Sequence, residues 1–339
     1  MFGFELTNYD KKVYIEELSD FLPKNIVDSH VHVYRTIDNY PREKGAKVYW
    51  PSKVAEDNSI EDAIQTYKDL FPNNKVVPVI FGMPDCKLDS VNGYVSQVSK
   101  EKNLPALYCT HANMSQEFLE EEVLKGGFQG LKPYCNNQTV INQADASIYD
   151  FLPKRHLEVA NKYGWKVVLH ISKPDRLKNS DNIKTLMEIE EKYPNVKLIV
   201  AHIGRAYAPE DLGNAFDILK HSKNMMFDFC ANTLSLATEK CIEAVGTKRV
   251  LFGTDLPIAK MRMYRVTEDG YYINVVPRGL YGDLTGAAHM RETDEKNVTN
   301  FTYEIIRGFK KCAENLTLSK QDVEDIMCNN ASKLYNIKF

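Results

Sequence analysis

The chain has 339 residues, 43% of them hydrophobic and 26% charged, the balance of a soluble globular protein able to bury one large core. Its formal net charge of -3 excludes the basic footprint of a nucleic-acid or anionic-membrane binder. No apolar run approaches the ~20 residues that span a bilayer, and the amino-terminal stretch lacks a basic-then-apolar secretory pattern, so a cytoplasmic location is expected.

In chain order, residues 1–24 read as a leader with a short helix over 11–21, closed by Pro23. Residues 25–33 alternate apolar and polar and read as a buried strand ending in His30 and His32. A polar loop over 34–53 leaves that strand and is expected to shape a pocket. Apolar runs and amphipathic stretches then alternate. Helix 59–70, with Ser59 as its cap, precedes strand 76–81, and helix 87–102 precedes strand 106–109. Helix 115–125, stopped by Gly126-Gly127, leads to strand 128–132, and helix 153–163, stopped by Gly164, leads to strand 166–170. Helix 180–193 leads to strand 197–202, helix 209–221 to strand 225–229, and helix 235–245 to strand 249–255.

Eight strand-helix alternations with no linker-like break argue for a single α/β domain over 1–339, built as a closed parallel barrel. A segment over about 259–298 interrupts the pattern as a lid or subunit contact, and helices over 300–314 and 319–335 finish the chain. The seven cysteines are scattered, form no Cys-x-x-Cys, and read as small buried hydrophobes.

His30 and His32 stand two positions apart on one strand, so both imidazoles face one side, as half of a divalent-metal site requires. A lone His-x-His is common by chance. Three further apolar runs end in His170, His202 and Asp255, and four such endings are hard to explain except by convergence at the carboxyl-end mouth of a barrel. An open sheet is disfavoured, because strand eight meets strand one only when the cylinder closes.

The segments Asp28-Ser29-His30-Val31-His32, Leu169-His170, Ala201-His202-Ile203-Gly204, Phe252-Gly253-Thr254-Asp255-Leu256-Pro257 and residues 326–335 together resemble the amidohydrolase superfamily, and within it the amidohydrolase-related (amidohydrolase 2) group. The resemblance implies a distorted (β/α)8 TIM barrel with His30, His32, His170 and Asp255 as metal ligands and His202 polarising substrate. It implies one divalent ion, zinc in first place with manganese as the alternative. For Lys132 it leaves two readings: a carboxylated bridge between two metals, or, favoured, a charged group binding a substrate carboxylate.

The expected activity is hydrolysis of a small carboxylate-bearing lactone, amide or ester, with Asp255 moving the water proton and His202 stabilising the oxyanion. Non-oxidative decarboxylation of a small carboxylic acid is the alternative, and a non-catalytic binding barrel the second. Arg205 is a candidate carboxylate clamp, and Arg291 with His289 are candidates for closing over substrate. His111 reads as a core or rim residue, and His156 and His221 as surface residues on helices. The expected partners are a small-molecule substrate and a second copy in a homodimer.

Overall fold

The computed structural model describes residues 5–41, 54, 56–137, 142 and 144–339, so most of the pocket-shaping loop expected over 34–53 lies outside the described residues. Eight strands form in sequence order: β1 (Asn25–His32), β2 (Lys75–Phe81), β3 (Tyr108–Thr110), β4 (Gly130–Pro133), β5 (Lys166–Leu169), β6 (Lys197–Val200), β7 (Met226–Asp228) and β8 (Val250–Leu251). β1 pairs with β2, and β3 to β8 pair in order, all parallel.

Two seams complete the ring. Ile80 bridges Ala106 between β2 and β3, and Val31 bridges Leu256 between β1 and the chain just past β8. At the second seam the Ser29 N–H donates to the Phe252 carbonyl (3.0 Å), the Asp255 N–H to the His30 carbonyl (3.0 Å) and the His32 N–H to the Leu256 carbonyl (2.8 Å). The barrel is therefore distorted where strand eight, expected over 249–255, shortens to two ladder residues and continues as an extended segment.

Side chains alternate as the pleat requires. Val27, Val79, Phe81, Cys109, Val168, Ile199 and Leu251 fill the barrel, while Ile26, Ile80, Val167 and Leu198 face the surrounding helices. β1 breaks this parity. Its register against β2 shifts between Asp28 and Val31, a bulge that sends Val31 outward, although it shares the odd parity of inward-facing Val27. Cys328, Ala331 and Tyr335 of the closing helical stretch join the interior cluster, and the Gln129 amide, just before β4, donates to the Tyr335 carbonyl, which places them at the amino-end of the barrel.

The helices start where their capping residues stand. Ser59 accepts from Asp62 N–H ahead of helix Ile60–Leu70, and Ser115 accepts from Phe118 N–H ahead of Gln116–Gly126. Gly127 and Gly164 end their helices at φ +75° and +65°, values open to glycine. The leader helix begins earlier than expected, at Asn8, because Thr7 and Asp10 form a capping box. The stretch expected as one helix over 209–221 divides into a turn at Pro209–Asp211 and a short helix Ala215–Leu219. No helix among the described residues is long and apolar enough to cross a membrane.

The insertion after β8 is a small sheet: β9 (Tyr264–Glu268) antiparallel to β10 (Tyr271–Pro277), which runs parallel to β11 (Met290–Thr293). The hairpin turns at Asp269-Gly270, both at positive φ, the turn chemistry that suits the twist of two strands. Its base is pinched. Met263 N–H donates to Thr299, Phe301 N–H donates to Met261, and Arg262 forms a two-pronged pair with Asp10 at 2.7 and 3.1 Å. Asp10 also accepts the Asn300 N–H, so one buried carboxylate ties the leader to both ends of the insertion.

Burial opposes ionisation of Asp10, but its bonds to Arg262 and Thr7 prevail and hold its carboxyl below the ordinary range. Asp10→Ala, which leaves Arg262 buried without its anion, is expected to lower unfolding free energy by about 3–5 kcal/mol in urea denaturation. The stabilisation from Asp10 is complete above its unfolded pKa and disappears as pH falls through the lower folded value. The variant should accordingly lose part of the wild-type acid-side decline in stability.

Candidate metal centre

The seam fixes the first pair of site residues. Because Asp255 N–H bonds the His30 carbonyl, the Asp255 side chain must stand beside the histidines of β1. Its Oδ1 lies 3.3 Å from His32 Nε2 and 3.6 Å from His30 Nε2. Asp28 braces the arrangement from behind, accepting from the Thr254 hydroxyl (2.5 Å), the Thr254 N–H (2.8 Å) and the Tyr67 hydroxyl (2.7 Å). Burial pushes the Asp28 carboxyl up to about 6 in spite of those donors.

The other site residues come from the same end of the barrel. Lys132, the last residue but one of β4, is fully buried, and its Nζ donates to His30 Nε2 at 3.1 Å. His170 follows β5 directly and lines a cavity of about 390 Å³ together with Tyr134, Asn136, Ser172, Lys173 and Arg205. Larger clefts of about 670 and 760 Å³ lie against the leader, away from the histidines. His202 is not on a strand. It opens a run of left-handed residues, His202 (φ +58°), Ile203 (+49°), Gly204 (+60°) and Arg205 (+62°), a conformation that costs roughly 1–2 kcal/mol at each non-glycine position. Asp228, ending β7, accepts the His202 N–H at 2.7 Å and helps hold that turn.

Acceptors beneath the imidazoles decide which ring nitrogen carries the proton. His30 Nδ1–H donates to Asp228 Oδ2 (3.0 Å), His32 Nδ1–H to the Gly82 carbonyl (2.8 Å) and His202 Nδ1–H to the Cys230 carbonyl (3.0 Å). All three rings thereby keep the lone pair on Nε2, as a cation requires, although Lys132 and Tyr134 donate to those of His30 and His32. Burial, reinforced by the Lys132 charge, lowers His30 to about 3, and burial also lowers His202, so both are neutral near pH 7. Burial likewise lowers Lys132. Asp255 is held below the ordinary carboxylate range: burial opposes this, but the His32 bond and the neighbouring histidines outweigh it.

The donor set fits a divalent ion. Two groups have their donor atoms all within 4.8 Å of one another: His30, His32 and Asp255, and His30, His202 and Cys230. His170 belongs to neither, its ring standing 5.2 Å from that of His202, yet its Nδ1 is buried with no hydrogen-bond partner among the described residues. An imidazole nitrogen enclosed without a partner is what a missing coordinate bond leaves behind. His202 needs a revised role. With Nδ1–H given to a carbonyl and the ring neutral, Nε2 can only accept, so His202 cannot donate to an oxyanion as the sequence suggested. The donors in place are Lys132 Nζ and the Tyr134 hydroxyl, which donates to His32 Nε2 at 3.1 Å.

Other expectations change as well. Arg291, on β11, is half-exposed and pairs with Glu268 on β9. His289 stacks on Tyr272 in the insertion, ring centroids 4.3 Å apart. His156 is buried, because its Nε2–H finds the Met114 carbonyl at 2.9 Å, whereas His221 is exposed as expected. His111 is a half-buried rim residue accepting from Asn113 N–H. Arg205 lines the cavity and donates weakly to the Lys173 carbonyl (3.4 Å), with no carboxylate partner among the described residues. Asp228 and Cys230 escaped the sequence reading. The signal for Asp228 was present, since it ends an apolar run as the other site residues do.

A family model described as Amidohydrolase matches residues 116–337, a stretch that holds His170, His202 and Asp255. No curated protein matches the chain. Among solved structures, a probable 2-pyrone-4,6-dicarboxylic acid hydrolase from Acinetobacter baumannii with citric acid bound is 15% identical, with 92% of this chain and 100% of that one covered and a TM-score of 0.58. A 4-oxalomesaconate hydratase from Rhodopseudomonas palustris is 14% identical (92% and 95% covered, TM-score 0.55). A dihydroxybenzoic acid decarboxylase from Polaromonas sp. JS666 with bound manganese and 2-nitroresorcinol is 12% identical (93% and 97% covered, TM-score 0.55). These likenesses are likenesses of fold.

Asp228→Asn keeps the shape of the floor but cannot accept from the His30 ring and the His202 and Cys230 groups as a carboxylate does. Its affinity for zinc, read by chelator competition, is expected to fall about 10- to 100-fold. Unchanged affinity would show that the Nδ1 contact does not orient His30.

Proposed function

Because the chain belongs to the Amidohydrolase family, we propose that it is a metal-dependent hydrolase of a small carboxylate-bearing lactone, amide or ester. The observation that carries this reading is the ionised Asp255 carboxylate beside the Nε2 lone pairs of His30 and His32. His30, His32, Asp255 and His170 would hold one divalent ion, with His202 Nε2 as a further donor. Zinc suits three imidazoles and a carboxylate, and manganese is the alternative that the Polaromonas neighbour binds. A cation here supplies an acidified water and a polarising contact for a substrate oxygen.

The chain's own groups do the rest. Asp255 accepts the proton of the attacking water and returns it to the leaving oxygen or nitrogen, a transfer its low proton affinity in the resting site makes reversible. The Tyr134 hydroxyl and Lys132 Nζ, both buried, supply the hydrogen bonds to developing negative charge that the neutral His202 cannot. Arg205, at the cavity wall without an acidic partner among the described residues, clamps the substrate carboxylate.

Decarboxylation is the second reading, favoured by one observation. Lys132 Nζ, fully buried 3.1 Å from His30 Nε2 and with its proton affinity lowered by that burial, is an acid placed to protonate a carbanion. Lactones, amides and hydroxylated aromatic acids, assayed in ¹⁸O-labelled water with parallel detection of released carbon dioxide, separate the two. Incorporation of label into a carboxylate product supports hydrolysis, and release of carbon dioxide with no labelled carboxylate product supports its rival.

His30→Ala is expected to abolish turnover and release the ion, and Asp255→Asn to abolish turnover. Activity and ion content unchanged in His30→Ala would refute the centre. Lys132→Met should keep one bound ion per chain by elemental analysis while turnover falls by about 100-fold or more, the usual scale for losing one preorganised donor. Loss of two ions in that variant would instead identify Lys132 as a carboxylated bridge.

A further inference from the structure

A buried lysine stands behind the pair of donors on which the centre rests. Lys260 is 2% exposed, and its Nζ–H donates to Asn58 Oδ1 at 2.7 Å. Asn58, itself sealed from solvent, turns its Nδ2–H the other way, onto the His32 carbonyl at 2.7 Å. The orientation of this amide is forced, because an ammonium can only donate and a carbonyl can only accept. The Asn58 main chain is fixed as well, exchanging N–H···O bonds with Tyr34 in both directions at 3.0 Å.

Lys260 belongs to the turn that leaves Asp255. The Ala259 N–H donates to the Asp255 carbonyl at 3.3 Å, and the Lys260 N–H to the Pro257 carbonyl at 2.9 Å. The start of helix Phe301–Asn315 grips the same turn, with the Thr302 hydroxyl on the Ala259 carbonyl (3.0 Å) and Asn300 Nδ2–H on the Lys260 carbonyl (3.3 Å). Asp255 itself is held at φ +70°, a left-handed conformation that persists only where neighbouring contacts impose it. The lysine main chain is therefore anchored to the Asp255 turn, and its ammonium reaches the exit of β1.

Two connections thus join His32 to Asp255, whose Nε2 and Oδ1 stand 3.3 Å apart. One is the seam, where the His32 N–H meets the Leu256 carbonyl. The other runs from the His32 carbonyl through Asn58 to Lys260, on the opposite edge of the same peptide. Hiding an ammonium is costly, and burial pulls Lys260 down to about 8, with the Asp62 and Asp57 carboxylates acting to keep its charge. An apolar side chain would fill that space without the cost, so packing alone does not call for a lysine, whereas a charge-strengthened grip on the Asn58 amide does.

We propose that Lys260 is a positioning residue for the centre: through Asn58 it locks the His32 main chain to the turn that bears Asp255, and so sets the gap between the two donors. This rests on the proposed function in taking both side chains as ligands, and it deepens that reading by naming what holds them at the spacing an ion needs.

The test is the zinc affinity of the full chain, read by chelator competition. Lys260→Met should bind zinc about tenfold more weakly than wild type, the lower end of the loss that removal of an outer hydrogen-bond partner brings. Asn58→Leu should do the same, and the double variant should lose no more than about twofold beyond the weaker single one, because one relay can be cut only once. Wild-type affinity in Lys260→Met, or losses that multiply in the double variant, overturn the relay. Asn92→Ala separates positioning from stability. Asn92 braces Cys109 on β3 with bonds of 2.9 and 3.0 Å, much as Asn58 braces β1, but β3 carries no proposed ligand. Its zinc affinity should stay within about twofold of wild type, and a loss equal to that of Lys260→Met overturns the proposal. Should Lys260→Met not fold by circular dichroism, Asn58→Asp decides. It keeps an acceptor for the ammonium and sets an oxygen against the His32 carbonyl, so affinity should fall as far, and unchanged affinity overturns the relay. Imidazole ¹⁵N spectra of the metal-free chain give a reading that needs no ion: His32 signals should move in Lys260→Met, or in Asn58→Asp, while those of His170 stay. Unmoved His32 signals overturn the relay. A wild-type chain that takes up no zinc, with His32 signals still displaced in the variant, speaks against the proposed metal function and leaves the relay standing.

Discussion

Three backbone hydrogen bonds between β1 and the segment after β8 are the constraint on which the site depends. They are local in space and distant in sequence, and they set the register in which Asp255 meets His30 and His32. A slip of one residue along this seam would turn Asp255 to the far side of the segment, because successive side chains alternate. Asp28 guards the register. It is fully buried, and both its oxygens are taken by Thr254 and Tyr67, so a shifted seam would leave a hidden carboxylate without donors.

From that seam the electrostatics of the centre follow. Each of three imidazoles has an acceptor behind Nδ1, two of them main-chain carbonyls whose position is fixed by neighbouring strands. Carbonyls can only accept, so the tautomers of His32 and His202 are set by the fold itself, before any ligand arrives. The left-handed run from His202 to Arg205 shows the opposing cost. It is a strained way to leave a strand, but it carries His202 and Arg205 to the mouth within four residues, and the His202 N–H bond to Asp228 offsets part of the strain.

The fold was legible wherever apolar runs were long and buried on both faces, as in β2, β5 and β6, because such runs with intervening amphipathic helices have few other solutions. The convergence of His30, His32, His202 and Asp255 was legible for the same reason, since a barrel gathers its strand ends. What the sequence did not show was anything set by tertiary partners. The bulge in β1 leaves no mark in an alternating segment, and Val31 faces outward only because of its register with β2. His156 sits on a helix where exposure looked natural, and its burial depends on a carbonyl supplied by Met114. Arg291 and Arg265 lie in the same polar insertion, and the sequence singled out only Arg291. Their fates diverge because Glu268 lies near one, while an aromatic cage and the Ala231 carbonyl hold the other.

The insertion and the barrel closure are consequences of one stretch of chain. The segment that leaves β8 first bonds to β1, then supplies Asp255, then passes through Met261–Met263, where it pairs with 299–301, and only then rises as β9. Pinning both ends of a long excursion removes most of its closure entropy, so the small sheet needs few contacts of its own to stay folded. Beyond its own ladder, the sheet is held against the barrel by Arg265 and Tyr272, which pack on Tyr207 beside His202. A segment braced this way cannot move without disturbing the Ala231 carbonyl, one residue from the acceptor that sets the His202 tautomer. The insertion and the histidine site are thus joined through two successive residues, Cys230 and Ala231.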